Sequence, residues 1–389
     1  MAGWSARRSR RQNPEQPRQS STVAELTRPR PHVPAVPLRT PPPATANWLV
    51  RGPEGRLTAY AVTDRGLRRW TEDRVGGPDW TSETLAAPGL APYLSIVQSP
   101  EGYVYLTGLK RTPGADGLPD VSVVYAVQYQ TARPLRDWHP LGSPYALPQH
   151  RHFADQIGMP VTVLDAGGSL HVFLRNAGGG MSARGQGTNG RWQPKWADLK
   201  GKGITGTVAA TVHGQGLVDL LGPGEDTVVR WRQDALGLDF PVADALPAAI
   251  ADGTFTSVET APGSRTHFWR DAKSGAVTAH RDGGVAQGLG GEGGTGPLAV
   301  LRTPVDGQDC TLLAQRDASG RPALAAYPTE HEEAGTEWTA TGEPCTGAPA
   351  LCLDGEGRVV LAALGTDGEL RVARQKPEPG LALEAWTRV

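Results

Sequence analysis

The sequence predicts an all-β fold: a seven-bladed β-propeller of four-stranded antiparallel blades, preceded by a disordered arm rich in Arg and Pro. Three observations predict it. An apolar strand, a polar or basic residue and a Gly-closed turn recur as "VFLRNAGGG" (172–180), "FWRDAKSG" (268–275), "LAQRDASG" (313–320) and "LAALGTDG" (361–368). Predicted first strands begin near residues 47, 93, 160, 207, 255, 297 and 349, and a period of ~40–50 residues with four strands per unit is the signature of a propeller. The chain of 389 residues combines 50 Gly and 34 Pro with eleven Trp and eight Tyr, and only 20% of it is charged. That composition suits many short strands joined by tight turns, with enough aromatic area to offset the entropy of ordering them.

The elements follow in order. Residues 1–46 hold nine Pro and end in "RTPPPATA", which favours an extended, unpacked arm. Strand texture starts at Asn47, and the blades are expected at about 47–92, 93–158, 159–206, 207–253, 254–296, 297–347 and 348–389. The second is long because "KRTPGADGLPD" and "YALPQHRHFADQIG" are inserted, both expected between strands where extra residues cost little. The fifth has "GLGGEGGTG" where its fourth strand should lie, so that strand is expected to be weak.

Each recurring Gly stretch reads as an inner strand and its two-residue hairpin turn, because such turns need a positive φ that Gly adopts at no steric cost. "TVVRWRQD" and "ELRVARQ" alternate too weakly for one-sided burial, as expected for blades stacked on both faces. The first unit opens with a first-type strand and the last closes with a fourth-type strand. Ring closure should therefore rest on packing between blades one and seven, without exchange of a strand.

Composition also bounds function. The net charge of −1 gives no footprint for specific nucleic-acid binding. It hides an asymmetry: residues 1–46 carry eight Arg, no Lys and two Glu, a balance of +6 that leaves −7 for the remainder. No apolar run approaches the ~18–20 residues of a membrane span. The Arg-rich start has no apolar segment behind it, which reads as a cytoplasmic protein, with export by a non-classical route left open. Cys310, Cys345 and Cys352 read as buried thiols, a Cys345–Cys352 bridge being the alternative.

Trp80, Trp138, Trp192 with Trp196, Trp338 and Trp386 fall in fourth-strand positions, with Phe240 in the fourth unit. Trp70, Trp231, His280 and Tyr327 fall near the ends of third strands. One ring per unit in register is what stacking of adjacent blades requires. The units "VFLRNAGG…GMSARGQGTNGRWQPKWADLKG" and "LAALGTDGELRVARQ…LEAWTRV" resemble the repeats of PLL-type propellers, the seven-bladed fucose-binding bacterial lectins. The resemblance spans residues 47–389, and the "GTDG" turn is intact only at Gly365–Gly368. It implies shallow sugar sites between blades, each with an aromatic platform and polar partners from neighbouring units. Trp70, Trp231 and Tyr327 are the candidate platforms, with Trp192 a further one. Arg175, Asp271, Arg316 and Asp317 are the candidate polar partners. A pyranose suits such sites, since its C–H face stacks on a ring while its hydroxyls need fixed donors and acceptors.

Other chemistry is weighed against this. A propeller glycosidase needs two carboxylates at a defined separation; the chain has no S-x-D-x-G-x-T-W turn, and its acids read as solvated or turn-capping. His150–His152 is expected at the surface and binds no metal, and "GLGGEGGTG" lacks the Lys-Ser/Thr of a phosphate loop. No cofactor is expected. The expectation is a non-catalytic recognition module for glycans, with a protein-interaction scaffold as the second reading and a glycosidase as the third. In the second reading the arm docks a protein partner through Trp4, Arg7, Arg8, Arg10 and Arg11.

Overall fold

In the computed structural model the described residues are 44–114, 117–213 and 215–389, and they form seven four-stranded antiparallel sheets. Each sheet uses four strands consecutive in sequence. Blade 1 holds β1 (Leu49–Arg51), β2 (Leu57–Thr63), β3 (Gly66–Glu72) and β4 (Trp80–Ala86). Blade 2 holds β5 (Ser95–Gln98), β6 (Val104–Pro113), β7 (Pro119–Gln128) and β8 (His139–Gly142). In blade 3 come β9 (Val161–Leu164), β10 (Leu170–Arg175), β11 (Met181–Gly185) and β12 (Ala197–Lys200). Blade 4 has β13 (Ala209–Val212), β14 (Val218–Pro223), β15 (Thr227–Arg232) and β16 (Leu246–Pro247). Blade 5 has β17 (Thr256–Ala261), β18 (Ser264–Arg270), β19 (Val277–Arg281) and β20 (Gln287–Gly288), the last no shorter than the fourth strand of blade 4. Blade 6 consists of β21 (Thr295–Val305), β22 (Gln308–Arg316), β23 (Pro322–Pro328) and β24 (Thr339–Ala340). Blade 7 closes the chain with β25 (Cys345–Leu353), β26 (Val359–Gly365), β27 (Leu370–Arg374) and β28 (Thr387–Arg388).

First strands stand around a central channel to which all seven contribute side chains, and β25 lies beside β1. Among the described residues no strand is exchanged across the seam. Trp48 donates its indole N–H to the Ala348 carbonyl (3.0 Å), and one apolar cluster unites Leu57, Tyr60 and Trp70 of blade 1, Leu106 of blade 2 and Val360 and Leu364 of blade 7. Closure by packing is what a ring of sequential sheets requires.

The recurring Gly stretches are second strands with the turns that follow (β10, β18, β22, β26). One expectation about them needs correction: their turns are longer than two residues. In blade 6 the Asp317 N–H bonds to the Arg321 carbonyl (2.9 Å), and Gly320 N–H returns to the Asp317 carbonyl (3.0 Å) with φ +82°. Only the last turn residue is left-handed, which is a type I turn closed by a glycine bulge. Asx capping explains the acid: Asp317 Oδ1 accepts the N–H groups of Ser319 and Arg321.

The first insertion is not a loop either. β6 and β7 stay paired from Leu109↔Val123 out to Pro113↔Pro119, so the extra residues lengthen a hairpin. The second winds into a 3₁₀ segment, Pro148–Gln156, in which Ala154 is buried against Leu109 and Val172. His150 and His152 are exposed on it. All three cysteines are free thiols, Cys310 and Cys345 buried. No helix among the described residues is long and apolar enough to cross a membrane. Trp4, Arg7, Arg8, Arg10 and Arg11 of the arm lie outside the described residues.

Candidate functional site

Indole N–H groups are spent on joining blades. Trp196 donates to the Leu141 carbonyl (3.0 Å), Trp231 to Leu199 (3.0 Å) and Trp338 to Leu289 (2.7 Å), while Trp386 donates to Thr341 Oγ1 (3.0 Å). In each case the acceptor lies on the outer part of the preceding blade. A buried indole usually finds such a partner, and in these four units the preceding blade supplies one, whereas the N–H of fully buried Trp70 has none.

That geometry removes three of the four candidate platforms. Trp70 and Trp231 are 0% exposed and Tyr327 is 2% exposed, so none presents a ring face to a ligand. Trp70 instead lies under the Arg68 guanidinium (4.5 Å to the ring centroid), which itself pairs with Glu369 of blade 7 (2.8 Å). Burial pushes the Tyr327 hydroxyl above its ordinary range. The ends of third strands are interior because the preceding blade of the ring covers them, and the sequence signal of register was a signal of packing.

The polar candidates are likewise occupied. Asp271 Oδ1 accepts the N–H groups of Lys273 (3.0 Å) and Ser274 (2.8 Å), a turn cap like that of Asp317. Those bonds, the Ser274 N–H foremost, hold the Asp271 carboxyl below its usual range. Arg175 donates to the Gln156 carbonyl (3.2 Å) and Arg316 to the Cys345 carbonyl (2.9 Å). Arg316 does reach the mouth of the central channel, beside Thr295, Gly296 and Thr346. The structure does not bring these four together with the three buried rings into one cleft.

Trp192 is different. It is half-buried and donates to the Tyr125 hydroxyl of blade 2 (3.1 Å), the two ring centroids lying 5.2 Å apart. Around this pair stands a set of aromatic residues that reading one ring per blade had missed. Tyr125 also meets His139 (5.5 Å), and Tyr103 packs edge-on against Tyr129 (5.1 Å). The Arg136 guanidinium sits 5.7 Å from the Tyr129 ring, and Tyr129 is 46% exposed. Register explains the assembly. Tyr105 is opposite Val127 and Thr107 opposite Tyr125, so alternation puts Tyr103, Tyr105, Tyr125 and Tyr129 on one face of blade 2. The signal was present in "YVY" and "YAVQY" as period-two spacing. Burial, then the neighbouring Tyr129 and Glu101, raise the Tyr105 hydroxyl above its ordinary range, so it is a neutral donor at physiological pH. On this face Tyr125, Trp192 and His139 form one group of rings, and Tyr103, Tyr129 and the Arg136 guanidinium form another.

A second polar cluster joins blades 4 and 5. Asp219, fully buried, is bound by Arg230 (2.5 Å) and Arg265 (2.8 Å), and Asp282 by the same two arginines (2.9 and 2.8 Å). Burial acts to raise the Asp282 carboxyl, but hydrogen bonds from His267, Arg230 and Arg265 outweigh it and hold the group far below the carboxylate range. Ser257 Oγ lies 2.8 Å from His267 Nδ1, and His267 Nε2 lies 3.1 Å from Asp282 Oδ1. Ser257 and His267 are direct cross-strand partners, so this chain follows from the β17–β18 register. Among the described residues no three His, Cys, Asp or Glu side chains are placed to hold a metal ion.

No protein-family model matches the sequence, and no curated protein matches it. Solved structures do match in fold. The chain is similar to AofleA from Arthrobotrys oligospora at 13% identity, covering 79% of this chain and 88% of that one with a TM-score of 0.50. It is similar to the Aleuria aurantia lectin, described as a six-bladed β-propeller with a novel fucose recognition mode, at 12% identity (77% and 97% covered, TM-score 0.46). It is also similar to the Hadza microbial sialidase Hz136 at 14% identity (78% and 71% covered, TM-score 0.48). Identities this low show a shared propeller architecture only, and the seven blades here stand against six in the Aleuria lectin.

Proposed function

We propose that this chain is a lectin-like, non-catalytic recognition propeller whose sugar platform is the aromatic cleft of blades 2 and 3. One observation carries the reading: Tyr125 and Trp192 are only half-buried and Tyr129, Arg136 and His139 are exposed, whereas Trp70 and Trp231 are fully buried. Ring faces take the C–H side of a pyranose, and the Tyr105 hydroxyl, the imidazole and the guanidinium supply donors for its hydroxyls. The resemblance of units three and seven to PLL-type repeats supports the same reading.

Binding is favoured over hydrolysis by the state of the acids. A glycosidase needs one carboxyl kept protonated near neutral pH, but Asp282 is held ionised by two guanidinium groups. Asp282 is already bound by Arg230 and Arg265, and the Ser257–His267 bond is read as structural.

The test is a glycan array probed with the full chain and with a Tyr129→Ala/Trp192→Ala double variant. The reading expects a neutral-sugar signal that the double variant loses while its thermal transition stays within a few degrees of the parent. A signal retained by the variant would assign the sugar elsewhere on the disc.

A further inference from the structure

Blade 5 departs from a pairing that blades 1, 3, 4 and 7 share. Where the third strand ends, Glu72, Gln186, Gln233 and Gln375 each use a side-chain oxygen to accept the N–H of a residue at the start of the second strand: Leu57 (3.0 Å), Leu170 (3.1 Å), Val218 (2.8 Å) and Val359 (3.2 Å). Those four donor residues are aliphatic and buried. In blade 5 the equivalent pair is Asp282 and Arg265, aligned by the same Asp282 N–H to Arg265 carbonyl bond (3.1 Å) that Gln233 makes to Val218 (2.9 Å). A guanidinium whose side chain is only 5% exposed has therefore replaced a core Leu or Val. Burying charge in place of an apolar residue works against stability unless it does something else.

The consequence is a spare cation. Three arginines (Arg230, Arg232, Arg265) meet two carboxylates (Asp219, Asp282), and the first and last make all the short pairings. Arg232 is left with long approaches to Asp219 (3.6 Å) and Asp282 (3.8 Å), and its Nε has no hydrogen-bond partner. It lines a groove of about 560 Å³ between blades 4 and 5, together with His213, Gln215, Arg265, Gly263 and Asp234. His213 Nε2, buried in the same wall, also lacks a partner. Burial and then the charge of Arg265 hold His213 below its ordinary range, so it meets a ligand as a neutral imidazole. Two carboxylates flank the groove: Glu259, tied to the Gly263 N–H (2.7 Å), and Asp234 on the exposed rim.

We infer that this groove is an oxyanion subsite that takes an acidic sugar, one carrying a carboxylate or a sulfate ester. It rests on the reading of the propeller as a glycan binder. The oxyanion pairs with Arg232 and His213, satisfying the two unpartnered nitrogens, while Gln215 and the Asp234 carboxylate meet neighbouring hydroxyls. A guanidinium beside a neutral imidazole suits a planar or tetrahedral oxyanion better than a hydroxyl, because the charge-assisted bond is the stronger one.

The experiment is calorimetric titration of the full chain with glucuronate, galactose 6-sulfate, glucose and galactose. At least one acidic sugar should bind about tenfold or more tighter than its neutral parent, as one charge-assisted contact implies, and the preference should shrink as salt rises from about 50 to about 300 mM. Whether glucuronate or galactose 6-sulfate shows it identifies the oxyanion. Arg232→Gln should abolish the preference, and Asp234→Asn should strengthen it by removing a like charge from the rim. Equal binding of acid and parent sugar, an unchanged preference in a folded Arg232→Gln protein, or an Asp234→Asn protein with an unaltered preference would each overturn the inference. Tyr129→Ala/Trp192→Ala separates the two sites: it should leave acid binding intact. An acid bound by a parent protein that takes no neutral sugar would sink the aromatic-cleft reading while this one stands.

Discussion

Arg374 Nη2 donates to Glu72 Oε1 across 2.5 Å, linking residues 302 positions apart at the seam between the last blade and the first. The same guanidinium also reaches the Gly77 carbonyl (3.1 Å), and the other oxygen of Glu72 accepts the Leu57 N–H (3.0 Å). Both side chains are buried. Removing one partner strands a buried charge, which costs about 3–5 kcal/mol. Glu72→Ala and Arg374→Ala should each lower the denaturation midpoint by that order in urea titration. A cost below about 1 kcal/mol, the range of an exposed pair, would mean that the seam does not depend on this link.

The indole bonds between blades give a graded prediction. Trp386→Phe keeps most of the ring volume and loses only the bond to Thr341, so it should cost about 1 kcal/mol. Trp231→Ala empties a fully buried site and should cost about 3–5 kcal/mol. Thermal unfolding followed by near-UV circular dichroism separates the two. Equal and small effects would contradict the view that these rings are core.

Histidines set the acid limb of stability. His171, His213 and His280 are all held below the ordinary histidine range, by burial first in each case. For His171 burial outweighs the bond to Asp165 (2.9 Å). Such a group binds its proton more readily in the unfolded chain, so stability is steady above the unfolded value of ~6.5 and falls as pH drops below it. The melting temperature should decline from about pH 7 to about pH 5, and less steeply in His171→Gln. A flat profile over that interval would show that these imidazoles charge without strain.

The exception in blade 5 is also testable as energetics. Arg265→Val with Asp282→Gln restores the pairing seen at Val218 and Gln233, and leaves Asp219 with Arg230. Exchange of a buried ion pair for apolar packing is commonly neutral or stabilising by about 1–4 kcal/mol. The double variant should unfold at or above the parent midpoint. A large loss would make the pair a structural necessity of that blade.

The blades were legible because their cues are local. A glycine closing each turn and period-two strands name each hairpin without knowledge of its neighbours, and the spacing of the units counts the blades. The turn type was not legible: a two-residue hairpin and a type I turn with a glycine bulge both place Gly last, and only the Asp317-to-Arg321 bond tells them apart. The site was largely hidden for a different reason. Trp70 and Trp231 look like platforms in sequence, yet whether a ring is roof or floor depends on the preceding blade of the ring, which for Trp70 is the last blade of the chain. Tyr103, Tyr105, Tyr125 and Tyr129 carried a readable alternation, but they occur in one blade only, outside the repeat that guided the reading. The arginine–aspartate exchange at Arg265 and Asp282 becomes visible only when strand ends are aligned by their hydrogen bonds.

The most direct measurement is saturation-transfer NMR on the full chain with a panel of neutral monosaccharides. Glycan recognition at Tyr125, Tyr129 and Trp192 predicts transfer strongest at the C–H protons of one sugar face, abolished in Tyr129→Ala/Trp192→Ala and preserved in Trp386→Phe. Transfer that survives the double variant, or a wild-type chain silent toward every sugar, would contradict it.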